Sequence, residues 1–240
     1  MKMTKRTYIS VIVILVIALI SFLAGVKYSS QMRHLKWRLS GYEFWRYDAY
    51  DRMVKMHKDW DSQIHDHVNY FLGDSHVQGL FVQNVKWGGV NVNYGIGSDT
   101  TWGLMDRLRK YGSITNGLCF LIKIGCNDFK YETTPEEVVG RISCIAEMLP
   151  IGSRIIVSSQ LPVGKVFRDE TLHVKLRKVN DLSRNLAREK GYIFLDSYST
   201  LCDEGGFLNP DYDFGDGIHL NDIGNTVWTR KMNELFIKSK

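Results

Sequence analysis

His67-Val68-Asn69-Tyr70-Phe71-Leu72-Gly73-Asp74-Ser75 sets the pattern for most of this chain. An apolar run stops at a glycine, and residues able to cap a helix follow. Runs of this kind, apolar without alternation, mark strands buried on both faces. Strands are predicted at 67–72, 90–94, 118–124, 154–160 and 192–195. Helical spacing of apolar residues covers 100–111, 135–148, 172–190 and 222–237. A short helix also fits from Ser75. Strands alternating with amphipathic helices imply an α/β fold whose parallel, five-stranded sheet is covered on both faces. Sites in such sheets form at the C-terminal strand ends. The loops after each strand are therefore where chemistry is expected.

Three of those loops, and one near the C-terminus, carry residues suited to catalysis. Gly73-Asp74-Ser75 places a serine on a sharp strand-to-helix turn. Its backbone N–H can face a developing oxyanion there, although Asp74 or Ser75 also suits an ordinary helix cap. Gly95-Ile96-Gly97-Ser98-Asp99-Thr100-Thr101 follows the second strand. A backbone N–H near Ser98 could be a second donor, and Asp99 or Thr100 could simply cap a helix. Gly125-Cys126-Asn127-Asp128 follows the third strand. The Asn127 amide can donate to the same oxyanion, or the string can form an Asx-turn. Asp216-Gly217-Ile218-His219 offers a base with a carboxylate three residues before it. A serine needs such a base to become a nucleophile, and the base needs a group that fixes its tautomer. His76 reads as a pocket-wall residue and His173 as a surface residue. Trp102 and Leu104 read as packing, and Asp128 as a support for the Asn127 loop.

Residues 7–26 are twenty uncharged residues dominated by Ile, Val, Leu, Ala and Phe, behind Lys2, Lys5 and Arg6. At about 1.5 Å per residue they span about 30 Å, enough for a bilayer core. The run is long for a signal peptide, and no good Ala-x-Ala site ends it. The expectation is a basic tail at 1–6 and an uncleaved transmembrane signal-anchor helix at 7–26. Residues 27–66 follow as a helical stalk or linker, and a helix lying on the membrane or on the domain also fits. The α/β domain is expected at 67–240. Lys27, Arg33, Lys36 and Arg38 flank the span on its far side, so basic residues lie at both ends. The expectation is a single-pass membrane protein with its domain on the non-cytoplasmic side.

Charge supports that division. Residues 1–60 hold 11 Lys/Arg against 4 Asp/Glu, and the remainder holds 20 against 22. The basic excess belongs to the anchor and its neighbour, where anionic headgroups would attract it. No basic stripe with interleaved aromatics marks the domain, so no nucleic-acid partner is expected. Cys119, Cys126, Cys144 and Cys202 form no CxxC pair and no metal spacing. Cys119 and Cys144 read as core residues.

Taken together, the four strings resemble the SGNH (GDSL-type) hydrolase family over residues 67–237. Ser75 matches the nucleophile, Asn127 the oxyanion donor, and Asp216 and His219 the remaining triad members. The stretch from Gly95 to Thr101 is similar to the second block, where the family usually has a glycine in place of Ser98. The resemblance implies a flavodoxin-like three-layer α/β/α fold with no metal and no cofactor. It implies a catalytic Ser75–His219–Asp216 triad and an oxyanion hole from Ser75, Ser98 and Asn127. The expected activity is a membrane-anchored serine esterase acting on acetyl or other short acyl esters, on carbohydrate or lipid. An O-acyltransferase on cell-surface glycan would use the same residues, and a non-catalytic binding module would keep only the fold. The expected partners are a small ester, acylated glycan or lipid substrate, and the membrane.

Overall fold

The computed structural model describes residues 47–65, 68–167 and 170–237. Helix α1 (Asp48–Asp61) precedes strand β1 (Val68–Gly73) and the one-turn helix α2 (Ser75–Gln78). Next come β2 (Val90–Gly95), α3 (Thr101–Leu108), β3 (Gly117–Lys123) and α4 (Pro135–Glu147). The chain ends with β4 (Arg154–Ser158), α5 (Glu170–Lys190), β5 (Ile193–Leu195), α6 (Tyr198–Leu201) and α7 (Asp222–Ile237). The five strands form one sheet in the order β2-β1-β3-β4-β5, and every pairing is parallel. This is the flavodoxin-like order. The expected three-layer α/β/α architecture is present.

Period-2 alternation of the strands divides the core into two. Tyr70 and Leu72 of β1, with Phe120 and Ile122 of β3, face α1, α3, α4 and α5. Phe71, Leu121 and Ile156 face the other way, onto Val77 of α2, Leu201 of α6, and Trp228 and Met232 of α7. Both faces of the central strands are thus covered, which is why their sequences are apolar throughout. Local signals set the helix ends. Thr134 and Glu137 form a capping box, with Pro135 opening α4. Gly191 follows α5 with φ of 72° and turns the chain out of the helix. The strand predicted at 154–160 stops at Ser158, because the Gln160 N–H goes to the Asn180 side chain at 2.6 Å.

Two expectations change, and one set of alternatives narrows. Helix α1, in the stretch read as a stalk, a linker or a helix lying on the membrane or on the domain, contributes Tyr50 and Val54 to the core and buries His57. The Tyr50 hydroxyl donates to Gly103 O at 2.7 Å, so α1 is part of the domain and its packing starts ahead of residue 67. Cys144 is exposed, because α4 turns Val138, Ile142 and Ile145 inward and Cys144 lies on the opposite side. His173 is buried, on the α5 face that also carries Leu176, Asn180 and Ser183, with its ring edge-on to Phe207 at 4.8 Å. All four cysteines are free. The span expected at 7–26 lies outside the described residues. Among the described residues, no helix is long and apolar enough to cross a membrane.

Candidate active site

The three motif-bearing strands deliver their loops to one end of the sheet. β1 lies between β2 and β3, so the residues after Gly73, Gly95 and Lys123 gather around the tip of β1. Gly73 is there for space. A Cβ on it would lie 2.1 Å from Lys123 O and 2.5 Å from Val77 Cγ2, so only glycine lets β1 approach its neighbours this closely. Asp74 then caps α2, accepting from the His76 backbone N–H at 3.1 Å. The capping reading therefore holds for Asp74, and it leaves the Ser75 hydroxyl for other use.

The base arrives on a tight turn before α7. Asp213 Oδ1 accepts from the N–H groups of Gly215 and Gly217 at 2.8 and 3.0 Å. Gly217 has a φ of 75°, a left-handed conformation that suits glycine. The turn brings His219 Nε2 to 3.0 Å from Ser75 Oγ. His219 Nδ1 lies 2.5 Å from Asp216 Oδ2. The other Asp216 oxygen accepts from the backbone N–H groups of Ile218 and His219 at 2.9 and 2.8 Å. Partial burial pushes the Asp216 carboxyl up, but these hydrogen bonds, led by that of His219, outweigh it and hold it down at about 2. An ionised Asp216 keeps the ring proton on Nδ1 and turns the Nε2 lone pair toward the serine hydroxyl. The side chains of His219 and Asp216 are 43% and 44% exposed, so the pair opens to solvent.

The loop after β2 is held from several sides. Its Ile96 N–H donates to Gly73 O at 3.0 Å. The Gly97 N–H donates to Gln78 Oε1 at 2.5 Å, and Gly97 O accepts from the Tyr47 hydroxyl. Ser98 has a φ of 60°, in the left-handed region. Glycine would adopt that conformation without strain. Thr100 caps α3 through the Gly103 N–H at 3.3 Å. Fully buried Asp99 pairs with Arg107 at 2.9 Å, and Arg107 donates to Gly73 O at 3.1 Å.

The loop after β3 joins the same framework. Asn127 Nδ2 donates to Asp99 O at 3.1 Å, and Asn127 Oδ1 accepts from Lys130 at 2.8 Å. These two bonds orient the amide. Asp128 accepts from the Thr101 N–H at 3.0 Å, from the Thr101 hydroxyl, and from Arg141 at 3.3 Å. It therefore ties the second loop to the third, as its expected supporting role requires. Trp102 packs under the Arg141 guanidinium, 3.8 Å from the ring centroid.

Sequence reasoning missed the polar cluster beneath the serine. Lys123, at the end of β3, is buried with Asp74 and His76. His76 is not a pocket wall turned away from the site; its ring centroid lies 5.5 Å from that of His219. The signal was a lysine in the apolar run of β3, where a charge has to find a buried partner. Among the described residues, no group of His, Cys, Asp and Glu is arranged to hold a metal.

The GDSL-like lipase/acylhydrolase family model matches residues 71–227. The chain belongs to the GDSL-like lipase/acylhydrolase family. Membership makes it an ester-hydrolysing enzyme. The matched segment contains Ser75, Ser98, Asn127, Asp216 and His219. No curated protein matches the sequence. Solved structures of GDSL-like proteins share the fold. A GDSL-like lipase from Bacteroides thetaiotaomicron is 19% identical with a TM-score of 0.62, covering 78% of this chain and 98% of its own. A lipase/acylhydrolase from Enterococcus faecalis is 17% identical with a TM-score of 0.63, covering 72% and 96%. A catalytic mutant of an acetylxylan esterase from Geobacillus stearothermophilus is 16% identical with a TM-score of 0.59, covering 72% and 95%.

Proposed function

We propose that this GDSL-like enzyme is a serine esterase that removes acetyl or other short acyl groups from carbohydrate or lipid through an acyl-enzyme on Ser75. The supporting observation is the unbroken chain of hydrogen bonds from Ser75 through His219 to Asp216. Ser75 Oγ attacks the ester carbonyl carbon and passes its proton to His219 Nε2. The oxyanion that forms is received by the Ser75 backbone N–H, a backbone N–H at Ser98, and the Asn127 N–H not given to Asp99. Each such donor lowers the barrier by about 3 kcal/mol. His219 then protonates the departing alcohol oxygen as the C–O bond breaks. Water, deprotonated by the same nitrogen, releases the acyl group and restores the serine.

A short acyl group is supported by one protein of the same fold, which is an acetylxylan esterase. The uncharged run at 7–26 supports a membrane location, with the domain on the non-cytoplasmic side. The full chain is expected to resist alkaline carbonate extraction and to be cut by protease added outside intact cells. The activity is tested with aryl esters of increasing acyl length. Turnover of the acetate, its decline with longer chains, and its loss in Ser75→Ala support the reading; an S75A variant that turns over at the parent rate ends it. Incubation of a glycan with an acyl donor separates the rival acceptor: loss of acyl groups marks the hydrolase, gain marks a transferase.

A further inference from the structure

Three buried side chains lie under the serine, and none takes part in the steps above. The Lys123 ammonium sits 2.9 and 3.1 Å from the two oxygens of Asp74 and 2.9 Å from His76 Nδ1. Its three hydrogens are thereby all given. The other ring nitrogen, His76 Nε2, lies 2.8 Å from Ile218 O. A carbonyl only accepts, so Nε2 must carry the ring proton. Nδ1 lies 3.4 Å from Asp74 Oδ1 but only 2.9 Å from Lys123 Nζ, so the shorter contact takes it: Nδ1 offers its lone pair to Lys123, and the imidazole is neutral. Burial, and after it the Lys123 charge, push the His76 imidazole below its ordinary value, against the opposing pull of Asp74. The Asp74 carboxyl is also pushed up by burial, but Lys123 and His76 bring it below the usual carboxylate range. Lysine and aspartate at 0% and 1% side-chain exposure form a pair that would be costly to break.

The far end of this network is the catalytic loop itself. Ile218 is the residue before His219, and its own N–H is taken by Asp216 Oδ1. Among the described residues the loop also has bonds within itself, Gly217 O accepts from the Gly164 N–H at 2.7 Å, and Leu220 O accepts from Asn225 Nδ2 at 3.3 Å. His76 is part of α2, directly after the nucleophile. One short helix therefore presents Ser75 to His219 and, through the next side chain, grips the loop that carries His219.

We propose that His76, set in a single tautomer by Lys123 and Asp74, is a positioning residue that ties the Asp216–His219 turn to the nucleophile's helix through Ile218 O. It sets the Ser75–His219 distance without touching substrate. The inference rests on the serine-esterase reading of the same site. Misplacing a reacting pair by about 1 Å costs roughly a hundredfold in rate, so loss of the tether should act on the chemical step and not on binding.

The experiment compares two amides in the full chain, His76→Gln and His76→Asn. The glutamine amide can accept from Lys123 and still reach Ile218 O, because its oxygen and nitrogen are spaced like the two ring nitrogens. The asparagine side chain is one methylene shorter and keeps only the Lys123 contact. The readouts are the rate of labelling by a fluorophosphonate probe, and kcat and KM on an aryl acetate. For His76→Asn, labelling rate and kcat should fall roughly ten- to a hundredfold with KM within twofold. For His76→Gln, both should stay within about threefold of the parent. Equal rates in the two variants overturn the tether. If the parent itself fails to label, the esterase reading fails first, and the tether with it. A measurement on the unaltered protein needs no variant to fold. Long-range nitrogen NMR should show His76 as the neutral Nε2–H tautomer at pH 7. An Nδ1–H tautomer leaves nothing to donate to Ile218 O and overturns the proposal equally.

Discussion

Asp216→Asn is the change whose effect the geometry defines most sharply. The carboxylate does two things at once: Oδ1 accepts two backbone N–H groups, and Oδ2 accepts from His219 Nδ1. An asparagine cannot do both. If its oxygen keeps the backbone donors, its NH2 faces Nδ1. The ring must then present a lone pair at Nδ1 and carry its proton on Nε2, aimed at Ser75 Oγ, 3.0 Å away. A protonated Nε2 cannot take the serine's proton. If the amide flips, its NH2 meets two backbone donors and the turn is pushed apart. Buried triads lose about 10⁴ in kcat from this substitution. Here both side chains are more than two-fifths exposed, so solvent screens part of the charge stabilisation, while the tautomer effect remains. The expected loss is about a thousandfold in kcat, or ~4 kcal/mol at 1.36 kcal/mol per decade. The assay is aryl acetate turnover at pH 7 to 8, with folding checked by thermal melting. A D216N variant within tenfold of the parent, while S75A is inactive, would refute the assignment of Asp216.

Other perturbations test the framework. His57 is buried, with Nδ1 3.2 Å from the Tyr111 hydroxyl, and burial, aided by Arg107, pushes it from 6.5 down to about 3. The folded state holds it neutral while the unfolded chain protonates it, so its stabilising effect is complete above 6.5 and is lost as pH falls toward 3. That amounts to about 2 kcal/mol by pH 5, and denaturant titrations should show a flatter pH dependence for His57→Gln; parallel profiles would count against it. Gly73→Ala should lower stability by about 3 kcal/mol or more and abolish probe labelling, since its Cβ meets Lys123 O at 2.1 Å; a variant that melts and labels like the parent contradicts the close-approach argument. Ser98→Gly should leave turnover unchanged, because the N–H survives. It should also raise the melting temperature by about 1–2 °C, as relief of left-handed strain slightly exceeds the added chain entropy; a lowered melting point contradicts the φ argument.

The sheet was legible because its central strands are buried on both faces, so Val68–Gly73 and Gly117–Lys123 read as largely apolar runs. The candidate triad was legible for another reason. Its three residues sit in short strings whose neighbours have local jobs: Gly73 gives clearance, Asp74 caps, Gly217 turns. What was not legible depends on contacts far apart in the chain. Tyr47 reaches Gly97 across 50 positions, and Lys123 reaches Asp74 across 49. Neither pairing follows from spacing. His173 could have been placed by its spacing to Leu176 and Asn180, which is that of a buried helical face. Helix α1 looked like a stalk because its charges dominate its composition. Tyr50, Val54 and His57 nonetheless fall on one face, and that stripe was the available signal.

The central claim is that a hydroxyl near the N-terminal end of the domain is activated by an imidazole 144 residues later. The most direct measurement is to treat the full chain with a fluorophosphonate, digest it and locate the added mass. The account predicts a single adduct on Ser75, formed at neutral pH, absent in S75A and strongly slowed in His219→Ala. An adduct on a different residue, or labelling of Ser75 that persists at the parent rate without His219, would contradict it.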